Sequence, residues 1–428
     1  MNNKDTAATL LSFIDQVHSP FHTVEASVAE LIKHGFSEIM STDNWHLEAG
    51  KSYYLRCYGS TLIAFKIGHE PRKRIKVAAA HTDFPCLRIK PSSSVSSNQY
   101  GKINVEIYGG MILNTWLDRP LSIAGKVVLA TNDPFQPRAK LVDFKRPLLT
   151  VPNLAIHMNR QINEGVELNK QKDMLPLATM LGKDVKDSEF FLELLAKEIN
   201  CEKREILSYE LTIYPTESGC LVGCQEEFIS APRLDNLTSV KACLAGLINS
   251  ECTNGINIIA LFDNEEVGSN TKQGAGSLIL TQAIERIYAA LGYKRTDYLS
   301  DVAGGFLLSA DVAHAMHPNV SEKNDITNKP VLNGGVTLKI AASQSYAGDA
   351  EAVGVVTAIC QQNNIPYQIF VNRSDLKGGS TLGSILSTTL PMRTMDIGVP
   401  ILAMHSARET MGVDDQAAIE KLLCKFFV

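Results

Sequence analysis

The sequence lacks the long apolar runs that cross membranes. No stretch of 18 or more apolar residues occurs in its 428 residues, so we expect no membrane helix. Residues 1–20 lack a basic start followed by an apolar core, because Asp5 and Asp15 interrupt them, and no signal peptide is predicted. A basic stripe for nucleic acid is not indicated either, since 41 Lys and Arg accompany 46 Asp and Glu. We therefore expect a cytoplasmic protein that binds neither nucleic acid nor membrane.

Cysteine patterns typical of disulfide frameworks or structural zinc sites are also missing. The nine Cys are an odd number without a repeated spacing. The closest pair, Cys220 and Cys224, has no second half that would complete a zinc site. Reduced, mostly buried thiols are the better interpretation.

The order of predicted elements indicates an α/β protein with an insert. Strands alternate with helices towards both ends of the chain, which is typical of a mostly parallel sheet covered by helices on both faces. Few helical patterns occur between them before residues 188–199, and the Ser-rich segment 92–99 indicates a linker or a domain boundary. We predict a discontinuous α/β domain, residues 1–91 and 226–428, and an inserted β-rich domain, residues 92–225.

His81 and Asp83 follow a predicted apolar strand over residues 75–80. Their spacing places both side chains on one face of extended backbone. A carboxylate beside the second ring nitrogen would hold the His in one tautomer and make it a better metal ligand. A surface His beside a turn Asp is the simpler alternative for this triplet taken alone.

Glu265 and Glu266 follow the predicted strand 255–262. Two adjacent carboxylates at such a place are costly unless something positive holds them, and a metal ion does so. Because adjacent side chains point in different directions, one can bind metal while the other faces a water. An acidic loop flanking Asp263 is the alternative.

Three further candidates stand at similar places. Asp235 lies at the start of a predicted helix, where an N-cap is its simplest role. Asp311 follows the strand predicted over residues 305–310, and His405 ends another. The neighbouring Ser406 raises a serine hydrolase as an alternative, but the G-x-S-x-G elbow of such enzymes does not occur.

Taken together, these positions predict one metal site at one edge of the sheet. The potential ligands are His81, Asp235, Glu266, Asp311 and His405. Two His and three carboxylates suit a pair of zinc ions, and the same ligands accept Mn²⁺ or Co²⁺.

Motifs along nearly the whole chain, from about residue 10 to 425, resemble those of aspartyl aminopeptidases, a family of dinuclear zinc metallopeptidases. The bacterial branch is the most similar. The shared stretches are AAAHTDFPCLRIKP, YGGMILNTWLDRPLSIAGKV, LAIHMNRQINEG, FISAPRLDNL, LFDNEEVGS, SADVAHAMHPN, GGSTLG and ILAMHSARE.

The resemblance implies a division of the ligands between two zinc ions. His81, Asp235 and Asp311 would hold one, and Asp235, Glu266 and His405 the other, so that Asp235 forms the bridge.

It also implies roles for residues that do not primarily bind metal. Glu265 would be the general base and Asp83 the partner that orients His81. His157 resembles a His that reaches the active site of a neighbouring subunit, and a metal-binding role for it stays open. Lys339 and Tyr346 resemble residues near the substrate.

The family's insert mediates dimerisation, and its members assemble into tetrahedral dodecamers. This chain departs from the family in residues 344–348, which read QSYAG in place of QRYAT, and at Asn324 and Asn328, where the family tends to have His. The first departure concerns the substrate pocket and the second a loop associated with assembly.

The expected function is removal of N-terminal residues, Asp or Glu in particular, from peptides. Two alternatives stay open. A two-zinc amidase or deacylase acting on a non-peptide amide would use the same metal ligands. A non-catalytic assembly protein on the same fold would usually have lost a ligand or the base.

Overall fold

The computed structural model describes residues 2–181, 189–376 and 378–428. The chain forms two compact units. The first comprises Met1–Asp83, Gly219–Met404 and Glu409–Val428, and the second comprises Phe84–Ser218 and His405–Arg408. The predicted limits of the inserted domain, residues 92 and 225, are not tested by this division and stay a prediction.

The helix Pro20–Lys33 of the first unit begins where the sequence supplies a cap. Ser19 accepts the backbone N–H of His22 and is followed by Pro20, whose fixed φ suits the first helical position. The helices are α1 (Asn3–Ile14), α2 (Pro20–Lys33), α3 (Phe190–Ile199), α4 (Leu234–Asn249), α5 (Ile279–Ala290), α6 (Arg295–Ala303), α7 (Ala350–Gln362), α8 (Leu382–Thr389) and α9 (Val413–Phe426). The predicted start of α3 at residue 188 lies outside the described residues.

The strands form three sheets. In chain order they are β1 (Ser37–Glu38), β2 (Ser52–Cys57), β3 (Thr61–Ile67), β4 (Glu70–His81), β5 (Cys86–Ser97), β6 (Tyr100–Tyr108), β7 (Leu121–Leu129), β8 (Arg138–Asp143), β9 (Leu177–Met180), β10 (Ile206–Pro215), β11 (Cys220–Val222), β12 (Phe228–Ala231), β13 (Asn254–Phe262), β14 (Phe306–Ala310), β15 (Ala313–His314), β16 (Val336–Ile340), β17 (Tyr367–Val371), β18 (Arg393–Gly398), β19 (Pro400–Leu402) and β20 (Glu409–Gly412).

The main sheet of the first unit has nine strands in the order β1-β2-β3-β13-β4-β14-β18-β16-β17. Its centre, β13-β4-β14-β18, is parallel throughout. Antiparallel pairs occur on both sides of this centre, β3 with β13 and β16 with β18. The prediction of a mostly parallel α/β sheet is therefore confirmed. A smaller sheet, β11-β12-β20-β19-β15, was not predicted.

Helices cover both faces of the main sheet, as predicted. Alternate residues of β4 enter different cores: Ala78 and Ala80 pack with α1, α2, α4, α7 and α9, whereas Val77 and Ala79 pack with α5, α6 and α8. Because both faces are buried, the central strands are rich in apolar residues along much of their length.

The second unit contains a six-stranded sheet in the order β8-β7-β10-β5-β6-β9 and the helix α3. The prediction of a linker at residues 92–99 was wrong, because β5 continues through Ser97 and pairs with β6. The serine hydroxyls find partners there: Ser94 Oγ, for example, accepts the backbone N–H of Phe191 at 3.2 Å.

No helix within the described part of the chain is long and apolar enough to span a bilayer. Each of the nine cysteines is a free thiol. Only four of them are buried, and Cys220 and Cys224 are exposed, so the expectation of mostly buried thiols was wrong.

Candidate metal centre

Three neighbouring parallel strands of the main sheet end at the same edge. β4 ends at His81, which is in register with Phe262 at the end of β13. On the other side of β4 lies β14, which is followed directly by Asp311. The side chains that follow these strands therefore meet at the carboxyl edge, where open α/β sheets place their ligands.

His81 is the centre of the cluster, with only 1% of its surface exposed. Its Nδ1 lies 3.0 Å from the backbone carbonyl of Asp83 and 3.3 Å from the Asp83 carboxylate. Its Nε2 lies 3.3 Å from Asp235 Oδ1 and 3.6 Å from Asp311 Oδ1. One ring nitrogen is thus held by Asp83, and the other faces two carboxylates.

The spacing of these atoms fits a zinc ion. Zinc binds imidazole and carboxylate at about 2.0–2.2 Å in a tetrahedron, so two ligand atoms on one ion lie about 3.4 Å apart. The separations of His81 Nε2 from Asp235 and Asp311, 3.3 and 3.6 Å, match that edge. Glu266 also belongs here, because one ligand atom from each of His81, Asp235 and Glu266 lies within 4.8 Å of the others. The donor set is one that zinc prefers.

The segment that carries Asp235 is fixed from both sides. Arg233, in the left-handed region at φ 59°, turns the chain into α4. The backbone N–H of Asp235 donates to Glu409 Oε2 at 3.0 Å, and Asn236 Nδ2 donates to the Ala310 carbonyl at 2.9 Å. Glu409 is 2% exposed and was not singled out from the sequence.

Asp83 connects the His ligand to the glutamate pair. Its Oδ1 accepts the backbone N–H of Glu265 and its Oδ2 that of Glu266, each at 3.1 Å. Asn264, at φ 64°, makes the turn that presents both N–H groups. A single carboxylate therefore sets the positions of His81 and of both glutamates.

Burial and neighbouring charges shift the pKa values of the central groups. Burial raises the pKa of Glu265 to about 8, against the opposing effect of His81. Burial alone would lower the pKa of His81, but hydrogen bonds to the three aspartates around it raise it well above its usual value. The surroundings of His81 thus favour a positive charge, which a proton or a metal ion can supply.

Lys339 lies beside the same cluster. It is 1% exposed, and its Nζ donates to the Val312 carbonyl at 3.0 Å and lies 3.6 Å from Asp311 Oδ2. Burial would lower its pKa, but Asp311 and Asp396 raise it, so the side chain stays charged. The ring centroid of Tyr346 lies 5.2 Å from the ammonium.

Two sequence-predicted residues belong to the second unit. His405, at φ 67°, has its Nδ1 3.2 Å from the Gly110 carbonyl. His157 is exposed, in a turn of that unit. The first unit brings together His81, Asp83, Asp235, Glu265, Glu266 and Asp311, whereas His405 and His157 belong to the second unit.

The sequence as a whole matches known aminopeptidases. The family model for the aminopeptidase I zinc metalloproteases (M18) matches residues 13–427. The chain belongs to the M18 family. This is the aspartyl aminopeptidase family of zinc peptidases, so the resemblance seen in the sequence motifs is confirmed. The chain is accordingly a metal-dependent aminopeptidase.

Individual relatives cover the full length. A probable M18 family aminopeptidase 2 of Clostridium novyi (strain NT) is 45% identical over 433 residues, which is 100% of both chains. The structure of the complex of Ape4 and Nbr1 matches with a TM-score of 0.95 at 34% identity, over 99% of this chain and 86% of that chain. The S. cerevisiae mApe1 dodecamer matches with a TM-score of 0.86 at 27% identity, over 100% and 97%.

Proposed function

We propose that this M18 aminopeptidase uses two zinc ions, with Glu265 as the general base, to remove N-terminal residues that are preferentially acidic. The observation that carries the proposal is the convergence of Asp235 and Asp311 on His81 Nε2, at 3.3 and 3.6 Å, with a ligand atom of Glu266 close by.

The charge of the cluster supports bound metal cations. Its carboxylates are those of Asp83, Asp235, Glu265, Glu266 and Asp311. Burial raises the pKa of Glu265 and so favours its neutral form, and Lys339 contributes one buried positive charge. The other four carboxylates outnumber this cation, and their uncompensated negative charge would be very costly in a buried site. Bound divalent cations would compensate it, and their number, two, follows from the family resemblance.

The proposed ligands divide as the family resemblance implies. His81, Asp235 and Asp311 would hold one ion, and Asp235, Glu266 and His405 would hold the other. Asp235 would thus serve both ions, and the hydrogen bond from its backbone N–H to the buried Glu409 carboxylate would keep it in place. The role of His405 as a zinc ligand rests on the sequence resemblance. Mn²⁺ or Co²⁺ would suit the same ligands.

Glu265 performs the proton transfers in this mechanism. Zinc supplies a Lewis acid that polarises the peptide carbonyl and makes a water acidic near neutral pH. Glu265 accepts the proton of the attacking water and then delivers it to the leaving amine. Asp83 keeps the Glu265 backbone in place through its 3.1 Å hydrogen bond, so the base does not have to reorganise between these two steps.

The substrate proposal rests on charged groups in and beside the cluster. A free α-amine would find a carboxylate in the cluster, which restricts cleavage to N-terminal residues. The buried cation Lys339 and the adjacent Tyr346 are the groups proposed to favour an acidic first side chain, and His157 is proposed to stabilise the developing oxyanion. Because Lys339 already contacts Asp311, the acidic preference needs its own test.

Self-association is also proposed, on the basis of the family resemblance. The second unit would form the dimer contact, and higher assembly would follow that of the S. cerevisiae relative described as a dodecamer. A cytoplasmic location completes the proposal.

Hydrolysis of Asp-, Glu-, Leu- and Lys-terminated peptides, with and without a chelator, tests this function. We expect chelator-sensitive release of Asp and Glu well above that of Leu and Lys. N-acetylated versions of the same peptides are the matched controls, because an aminopeptidase needs the free amine. Cleavage of the acetylated peptides would favour the amidase or deacylase. Inactivity towards every peptide, free or acetylated, would favour the non-catalytic assembly protein.

A further inference from the structure

Thr82 stands between two residues of the metal centre, His81 and Asp83, and is completely buried. It follows the last residue of β4, and its hydroxyl contacts backbone carbonyls rather than side chains of the metal cluster. Its hydroxyl donates to the Ser60 carbonyl at 2.8 Å and lies 3.1 Å from the Phe262 carbonyl. Its backbone N–H donates to the same Phe262 carbonyl at 2.7 Å.

These partners belong to separate parts of the first unit. Phe262 is the last residue of β13, the strand that leads to Glu265. Ser60 lies in the turn between β2 and β3. A third contact comes from α2, where the Thr23 hydroxyl donates to the Thr82 carbonyl at 3.1 Å. Thr82 therefore joins the end of β4 to β13, to this turn and to α2.

We propose that Thr82 is a positioning residue that fixes the His81–Asp83 segment relative to the strand end that carries Glu265 and Glu266. Asp83 closes the connection on the metal side through its hydrogen bonds to the N–H groups of both glutamates. The two strand ends are thus joined twice, once through Thr82 and once through Asp83. The inference rests on the proposed metal site.

Removal of the hydroxyl should move the metal ligand. Valine has nearly the shape of threonine, but a methyl carbon keeps about 3.3 Å or more from a carbonyl oxygen. At residue 82 the corresponding atom lies 2.8 Å from the Ser60 oxygen and 3.1 Å from that of Phe262. A valine must therefore shift away by several tenths of an ångström and take His81 with it, while the Ser60 carbonyl loses its donor.

The test compares T82V with the conservative variant T82S and with T394V. Thr394 is a matched control because it is also a buried strand threonine, 7% exposed, whose hydroxyl donates to the Met392 carbonyl at 2.9 Å. It lies near the start of β18, which runs parallel to β14, and so at the opposite edge of the sheet from the metal cluster.

Zinc affinity of the metal-depleted variants is measured by competition with a chromophoric chelator, together with kcat and KM on an Asp-terminated peptide. We expect T82V to bind zinc about 10- to 100-fold more weakly, as is usual when a partner of a metal ligand is lost, and to lose kcat with KM within about two-fold. T82S should recover most of the affinity. T394V should change thermal stability but not zinc affinity.

H81A in the same titration separates this inference from the proposed function. Wild-type zinc affinity in T82V, with strong loss in H81A, would overturn the role of Thr82 and leave the metal site standing. Unchanged zinc affinity in H81A would overturn the metal site itself. If T82V fails to fold, T23V is tested instead, because it removes the hydroxyl that donates to the Thr82 carbonyl. A zinc affinity of T23V equal to that of the wild type would then count against the proposal.

Discussion

Replacement of Asp83 by Asn changes the residue that connects most parts of the proposed centre. Its two oxygens accept the backbone N–H groups of Glu265 and Glu266, each at 3.1 Å, and one of them also lies 3.3 Å from His81 Nδ1. Asn has nearly the same shape but replaces one oxygen with an NH₂ group. One backbone N–H must then face another donor, whichever way the amide is turned.

The size of the effect follows from these contacts. A buried N–H left without an acceptor costs about 1–3 kcal/mol, which corresponds to about a 5- to 150-fold loss if it falls on the catalytic arrangement. Loss of the carboxylate beside a metal-binding His costs about 10- to 100-fold in metal affinity or activity. We expect D83N to lower kcat/KM by about 100-fold and to weaken zinc binding by at least about 10-fold.

Steady-state hydrolysis of an Asp-terminated peptide and zinc competition with a chelator measure both effects. D349N is the matched control: Asp349 Oδ1 accepts the N–H of Ala352 at 2.8 Å at the start of α7, and Asn caps helices equally well. We expect D349N to stay within about two-fold of the wild type. Normal activity and zinc affinity in D83N would refute the positioning role assigned to Asp83.

Three further predictions follow from burial and packing. In the metal-depleted protein, K339M should lower the free energy of unfolding by about 3 kcal/mol in denaturant titrations, because it leaves Asp311 without its buried cation; a change below about 0.5 kcal/mol would contradict the pairing. Burial raises the pKa of Asp415 to about 7, whereas the pKa of Asp in an unfolded chain is about 3.9. Between these two values the folded chain binds a proton that the unfolded chain does not. The stability present at pH 4 is therefore lost as the pH rises through about 7. Stability relative to D415N should fall by on the order of 3 kcal/mol between pH 4 and 8, and a flat difference would be inconsistent with the raised pKa. G398A should weaken zinc binding and lower the melting temperature, because a Cβ there would overlap the Asp311 carbonyl, whereas G354A, with open space around its Cβ in α7, should do neither.

Most of what could be predicted of the fold came from apolar stretches in the sequence. Residues 75–80, 255–262 and 305–310 are mostly apolar because the strands they form are buried on both faces of the main sheet. The Ser-rich part of β5 misled the prediction, since Ser93 and Ser94 accept hydrogen bonds from residues about 100 positions away in the sequence. β16 was also missed, because the buried Lys339 interrupts its apolar pattern and its charge is compensated by distant residues.

The proposed metal centre was predictable where ligands follow strands directly. His81 and Asp311 are of this kind, because parallel strands bring their carboxyl ends to one edge. Glu409 and Thr82 were not predictable in the same way. Glu409 contacts Asp235 across 174 positions of sequence, and an isolated Glu gives no local signal of such a contact. Thr82 lies inside a recognisable motif, but its hydroxyl partners come from a turn and a second strand.

The measurement that tests the central claim most directly is the zinc content of E265Q together with its turnover of Asp- and Glu-terminated peptides. The proposed mechanism predicts two zinc ions per chain in both the wild type and E265Q, and a kcat lowered by about 10²- to 10⁴-fold in E265Q, because only the proton acceptor has been removed. Normal turnover by E265Q would show that Glu265 is not the base. A wild-type enzyme that is fully active with a single zinc ion would contradict the two-metal assignment.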